Sequence, residues 1–267
     1  AFIFDIDGVI TDTKTKKIKE LQILDILSHI LTESLLILNT GRSLTWIRER
    51  VLDPLLAKVN GKNLSNSLFV VGEFGGASLG FDSSGNINVF KDKSIFYDSV
   101  LAGEVSEIIL NESSESMIFD ETKETMITTE MRDGYFIEKY KKAQKKLKSK
   151  LKEILKDKKL EDKLDVQSDT IAVNILDKKV GKDYAVKKIL DWIKERGLRI
   201  DEFTAFGDSI SDLDMGKELV KRRYDIKFIY VGTDRLDKKK YKFPIFISTK
   251  KFEKGTIEYI KGNFSVL

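Results

Sequence analysis

The 267-residue sequence predicts an α/β fold, a doubly wound parallel sheet into which an α+β module is inserted. Three observations predict it. Strand and helix signals alternate from Phe2 to Glu73, and again from Lys182 to "FPIFIS". Between these stretches, after "GEFGG", the alternation gives way to a different pattern. Acidic and hydroxyl-bearing residues recur where the expected core strands end, which is where open parallel sheets bind ligands.

Phe2 to Phe4 read as a short strand apolar on both faces, suited to the middle of a parallel sheet. Ile18 to Leu31 repeat apolar residues at helical spacing. "LLILN" reads as a second strand, "TGRS" leads into a helix with Trp46, Ile47 and Val51, and "LFVVGE" reads as a third strand. That order implies parallel pairing through right-handed crossovers. "ASLGFDSSGNINVFKD" then reads as a hairpin around Ser-Ser-Gly-Asn. A helix near Ile95 to Leu110, a strand stretch in "ESMIFDETKETMITTE", a lysine-rich helix and the strands "KLDVQ" and "TIAVNIL" follow. The alternation resumes at Lys182 with the helix "DYAVKKILDWIKERG" and the strands "FTAFGDS", "DIKFIYVG" and "FPIFIS". The expected boundaries are 1–76 with 178–267 for the core and 77–177 for the insert.

Composition removes several chemistries. There is no cysteine, so no thiolate nucleophile, disulfide or cysteine-zinc site is available. The single histidine, His29, sits in the apolar helical pattern "LQILDILSHILTESLL" and reads as a helix-packing residue. Catalysis therefore rests on carboxylates, lysines, hydroxyls or a hard metal ion. Between Lys139 and Lys159 there are eleven lysines, but Phe136, Tyr140, Ala143, Leu147, Leu151 and Ile154 form an apolar stripe at steps of three and four. This segment reads as an amphipathic helix with a solvated basic face. With a net charge of only +4 and no interleaved aromatic or arginine residues, neither nucleic acid nor membrane is an expected partner. The longest aliphatic run falls far short of the roughly 20 residues a membrane helix needs, and no positively charged leader is visible. The expected location is cytoplasmic.

The first core strand delivers Asp5 and Asp7, the second Asn39, Thr40, Gly41 and Arg42, and the fourth, through "GDSISD", Asp208 and Asp212. Lys182 opens the helix before that strand. Clustered carboxylates repel one another unless a cation sits among them, and oxygen-only ligands suit Mg²⁺. One carboxylate can attack a phosphorus while its partner handles the proton.

"DIDGVIT", "NTGR", Lys182 in "VGKDYAV" and "GDSISD" resemble, in this order, the four motifs of the haloacid dehalogenase-like (HAD) phosphatases. The insert resembles the large α/β cap of the subgroup containing sugar-phosphate phosphatases, phosphomannomutase and archaeal phosphoglycolate phosphatases. The resemblance implies a Rossmann-like HAD core with a cap. It implies Asp5 as a nucleophile that becomes an aspartyl phosphate, and Asp7 as proton donor and then base. Thr40, Gly41 and Lys182 would bind the phosphate, and Arg42 would bind substrate or brace the start of the following helix. Asp5, the main-chain carbonyl of Asp7, Asp208 and Asp212 would hold Mg²⁺. Two positions depart from the pattern: Phe74 stands where relatives often carry asparagine, and "TGRS" is closer to the sugar-phosphate branch than to the phosphoglycolate branch. The expected function is Mg²⁺-dependent hydrolysis of a small phosphomonoester, phosphoglycolate or a sugar phosphate. The alternatives are a phosphomutase and a non-catalytic phospho-ligand binder.

Overall fold

The computed structural model describes residues 1–59 and 64–264. Its chain begins with β1 (Phe2–Phe4), α1 (Gln22–Glu33), β2 (Leu36–Asn39), α2 (Leu44–Ile47), α3 (Asp53–Lys58) and β3 (Leu68–Gly72), then β4 (Ala77–Phe81) and β5 (Ile87–Lys91). Next come α4 (Ser99–Glu112), β6 (Met117–Phe119), β7 (Ile127–Met131), α5 (Ile137–Asp157), β8 (Leu164–Ser168) and β9 (Ala172–Asp177). The chain finishes with α6 (Lys182–Glu195), β10 (Glu202–Gly207), α7 (Leu213–Lys221), β11 (Asp225–Tyr230), β12 (Ile245–Ile247) and α8 (Glu253–Asn263).

The large sheet has the order β12-β11-β10-β1-β2-β3-β4-β5. Its first six strands in that order pair in parallel, and β4 runs antiparallel to β3. β1 lies between β2 and β10, so the chain winds outward in one direction through β2 and β3, and in the other through β11 and β12. The point where winding reverses is where such sheets open a ligand crevice. Phe4 and Ile3 show why β1 reads apolar on both faces. Phe4 packs with Ile26, Leu27 and Ile260 on one side, and Ile3 with Val186, Ile189 and Phe228 on the other, all fully or almost fully buried. Each such side chain contributes about 1.5–3 kcal/mol of transfer free energy. Phe4 also stacks on Phe206 of β10, their centroids 4.5 Å apart.

By compactness the chain divides into Ala1–Phe90 with Gly181–Leu267, and Lys91–Val180. The hairpin expected in the insert lies instead in the large sheet. β4 pairs with β3 in the register Val70↔Leu79, and Leu79 and Phe81 are buried in the same core as Phe4. The second unit carries the sheet β6-β7-β9-β8. "ESMIFDETKETMITTE" is not one strand but two, with Met117 pairing antiparallel to Met131.

Helix α5 buries Tyr140, Gln144, Leu147, Leu151 and Leu155, while Lys139, Lys142, Lys145, Lys146, Lys152 and Lys156 are exposed. Phe136, expected in the apolar stripe, is 66% exposed at the helix start. Gln144 takes a buried place because its amide donates to the carbonyl oxygens of Asp169 (2.9 Å) and Ala172 (2.8 Å). The helix expected from Ile18 begins only at Gln22 (α1), with Leu21 exposed at its cap position. His29 is half-buried on α1 with Nε2 3.9 Å from Glu33. Among the described residues no helix is long and apolar enough to cross a membrane.

Candidate active site

The carboxyl ends of β1, β2 and β10 bring the residues singled out in the sequence together. Asp5 follows β1, its N–H donating to the Phe206 carbonyl of β10 (3.0 Å), so the neighbouring strand fixes its backbone. Its side chain is buried. Lys182, the first residue of α6, is equally buried and reaches across to it. The ammonium donates to Asp5 Oδ1 (2.6 Å) and to the Asn39 carbonyl at the end of β2 (2.6 Å), and lies 2.9 Å from Asp212 Oδ1. One cation thus ties β1, β2 and the turn after β10. Burial works against the lysine's charge, but Asp212 and Asp5 outweigh it and raise its pKa.

Asp212 is almost fully buried, and both of its oxygens are engaged. Oδ1 faces Lys182, while Oδ2 accepts from the Asp208 N–H (3.2 Å), the Ser209 N–H (3.0 Å) and the Ser209 hydroxyl (2.7 Å). This is a capping box on "SISD", satisfying two orphan N–H groups at the entry to α7. Asp208 lies in that turn, and among the described residues its carboxylate has no hydrogen-bond donor. Carboxylate oxygens of Asp5, Asp208 and Asp212 all lie within 4.8 Å of one another. Burial, reinforced by the neighbouring carboxylates, pushes Asp5 up to about 7 against the pull of Lys182. Burial and the charges of Asp5 and Asp212 push Asp208 up to about 8.

When ionised, the four carboxylates (Asp5, Asp7, Asp208, Asp212) outnumber the two cations, Lys182 and Arg42, by two. A buried excess of that sign, with all-oxygen donors and one carboxylate lacking a donor, fits a hard divalent cation such as Mg²⁺.

Asp7 stands apart from the three-carboxylate group. Both of its oxygens accept from Arg42, Oδ2 from Nε (2.8 Å) and Oδ1 from Nη2 (2.9 Å). Gly8 follows with φ +72°, and its N–H donates to the Thr11 carbonyl. A Cβ at Gly8 would stand 2.2 Å from Asp208 Oδ2. Gly8→Ala is therefore expected to displace Asp208 and, with the strained φ, to cost about 1–3 kcal/mol of stability. Urea unfolding of the two proteins measures it; an unchanged midpoint would refute the close approach.

Thr40 is buried, its N–H on the Val71 carbonyl (3.0 Å) and its hydroxyl accepting from the Arg42 N–H (3.3 Å). The "GEFGG" loop braces this turn. Glu73 (φ 49°) and Phe74 (φ 54°) both adopt left-handed backbone, rare for side chains of their size. In return the Phe74 N–H donates to the Thr40 carbonyl (3.1 Å), the Gly181 N–H donates to the Phe74 carbonyl (3.0 Å), and the Phe74 ring covers Gly41 so closely that a Cβ there would be 2.5 Å from it. Phe74, where relatives often carry asparagine, thus links the Thr40 turn to the start of α6. Ser209 escaped the sequence reading, although the Ser-x-x-Asp pattern in "GDSISD" is a legible capping signal.

No family model and no curated protein matches the chain. Solved structures do. A haloacid dehalogenase-like hydrolase from Bacteroides thetaiotaomicron superposes with a TM-score of 0.61 at 16% identity, covering 98% of each chain. The sucrose-phosphatase of Synechocystis sp. PCC6803, solved with sucrose and phosphate, gives 0.54 at 14% identity, covering 98% of this chain and 96% of that one. Trehalose-6-phosphate phosphatase from Aspergillus fumigatus gives 0.53 at 14%, covering 98% of this chain and 90% of that one. At these identities the likeness carries the architecture: the chain has the haloacid dehalogenase-like fold.

Proposed function

We propose that the protein is a Mg²⁺-dependent phosphatase of a small phosphorylated metabolite, with a sugar phosphate the best-supported class. The observation that carries this reading is the buried Asp5–Lys182–Asp212 chain with Asp208 beside it and a second, separately held acid two residues after Asp5. In the first step a carboxylate oxygen of Asp5 attacks phosphorus. The bond from phosphorus to the leaving oxygen breaks, and Asp7 gives that oxygen its proton. In the second step Asp7 takes a proton from water, the water oxygen attacks phosphorus, and the bond to Asp5 breaks, releasing inorganic phosphate and restoring both acids. Lys182 and Thr40, with Gly41 beside them, hold the transferring phosphoryl oxygens. Asp5, Asp208 and the main-chain carbonyl of Asp7 would hold the cation, with Asp212 supporting them. Bound there, it would neutralise the charge that builds on the phosphoryl group.

The sugar-phosphate preference rests on Arg42. The fork that a substrate carboxylate such as that of phosphoglycolate would seek is turned onto Asp7. Two structures of like fold are named as phosphatases of phosphorylated disaccharides, which points the same way.

A panel of hexose, disaccharide and nucleoside monophosphates, with phosphoglycolate, tests the proposal by phosphate release with and without chelator. Release from at least one sugar phosphate, abolished by chelation, is expected. Undiminished release in chelator would overturn the mechanism. Conversion of a hexose 1-phosphate to its isomer, dependent on a bisphosphate activator, would favour the phosphomutase reading.

A further inference from the structure

We infer that Arg42 is a positioning residue that acts through Asp7 rather than on the substrate, an inference that rests on the phosphatase reading above. Of the two partners, Arg42 is the fixed one. Its N–H is held by the Thr40 hydroxyl (3.3 Å) and its carbonyl accepts from the Glu73 N–H (3.0 Å). Its guanidinium lies over the Trp46 ring, 4.7 Å from the centroid. The arginine side chain is only 11% exposed, that of Asp7 33%. Asp7 occupies the short turn between β1 and Thr11, next to a glycine of positive φ, and among the described residues the hydrogen bonds its carboxylate accepts come from Arg42.

Bracing the helix does not account for this arrangement. The N-cap of α2 is Ser43, whose hydroxyl accepts from the Trp46 N–H (3.2 Å), so the helix start is capped without the guanidinium. A planar fork with two parallel N–H groups sets the plane and direction of a carboxylate, which a lysine ammonium cannot do. Arg42 therefore fixes where the oxygens of Asp7 stand when the leaving oxygen or the attacking water arrives. The two residues are 35 positions apart, joined by the turn after β1 and the turn after β2.

A double-mutant cycle tests this, with p-nitrophenyl phosphate and the best sugar phosphate of the panel as substrates. Arg42→Met should lower kcat about 10–100-fold with KM changed less than about threefold, a part of what a general acid–base group contributes. Arg42→Lys, which keeps the charge and loses the fork, should fall between Arg42→Met and the parent. In an Asp7→Asn background, Arg42→Met should change kcat less than about threefold, because the residue it positions is gone. Loss of the same size in both backgrounds, a rise in KM at constant kcat, or no loss at all would each overturn the inference. The first two would make Arg42 a substrate ligand. If Arg42→Met does not fold, as circular dichroism will show, Arg42→Lys carries the same cycle. A parent protein that hydrolyses no phosphomonoester would overturn the proposed function, and this inference with it. An active parent with uncoupled variants overturns this inference alone.

Discussion

Asp5→Asn is expected to abolish turnover, lowering phosphate release by about four orders of magnitude or more, and to leave no phosphate covalently attached to the protein. Asparagine keeps a carbonyl oxygen to accept from Lys182 Nζ, so the buried contact now at 2.6 Å retains a donor and an acceptor. It also removes a buried negative charge that pushes Asp208 up. The variant should therefore fold at least as stably as the parent in chelator, separating loss of chemistry from loss of structure. Asp7→Asn should behave differently. It spares the proposed nucleophile and removes the proposed proton donor, and is expected to cost about 10²–10⁴-fold, with the smaller loss on aryl phosphates whose leaving oxygen needs no proton. Rapid quenching with labelled substrate distinguishes the two. Label should accumulate on Asp7→Asn, where water attack is slowed, and be absent from Asp5→Asn. Label on Asp5→Asn would place the nucleophile elsewhere.

The parts of this molecule that were legible in its sequence are those encoded locally. β1 was readable because Phe2, Ile3 and Phe4 are apolar on both faces, which only a central strand requires. Asp5 and Asp208 were readable because each follows its strand directly, and the strand's end fixes its place; Asp7 and Asp212 come within the next few residues. Pairings between distant segments were not. The β4–β5 hairpin looks the same whether it extends the core sheet or belongs to an insert, since the decision lies in its register with β3. The union of Arg42 with Asp7 depends on two turns meeting across β1 and β2, and no spacing in either turn announces it. Nor does composition disclose the left-handed backbone at Glu73 and Phe74, because residues of that size usually avoid it. The local conflict there is resolved by three tertiary contacts, to Thr40, Gly41 and Gly181.

Stability is expected to fall as pH rises from about 5.5 to 8.5 in chelator, and Mg²⁺ should abolish that fall. The sign follows from Asp5 and Asp208, raised from 3.8 to about 7 and about 8. Between the unfolded and folded values the native state retains protons that the unfolded chain has released, so unfolding becomes easier with each step in pH. The contribution of these two groups is complete below about pH 4 and is lost as pH passes through 7 and 8. Carboxylates shifted downward, such as Asp12 and Glu258, act in a lower window and leave this one undisturbed. If only one unit of the upward shift is expressed it amounts to about 1.4 kcal/mol. For a chain of this size that moves Tm by about 2–4 °C. A cation held by the folded carboxylates and not by the unfolded chain stabilises most where those carboxylates are ionised, so the increment from Mg²⁺ should be larger at pH 8.5 than at 5.5. Calorimetry across this range, with and without about 10 mM Mg²⁺ and with Asp208→Asn as control, measures both effects. The control should show a shallower slope and a smaller Mg²⁺ increment. A flat profile in the parent protein, or an equal Mg²⁺ increment in Asp208→Asn, would rule out the buried carboxylate cluster as the cation's seat.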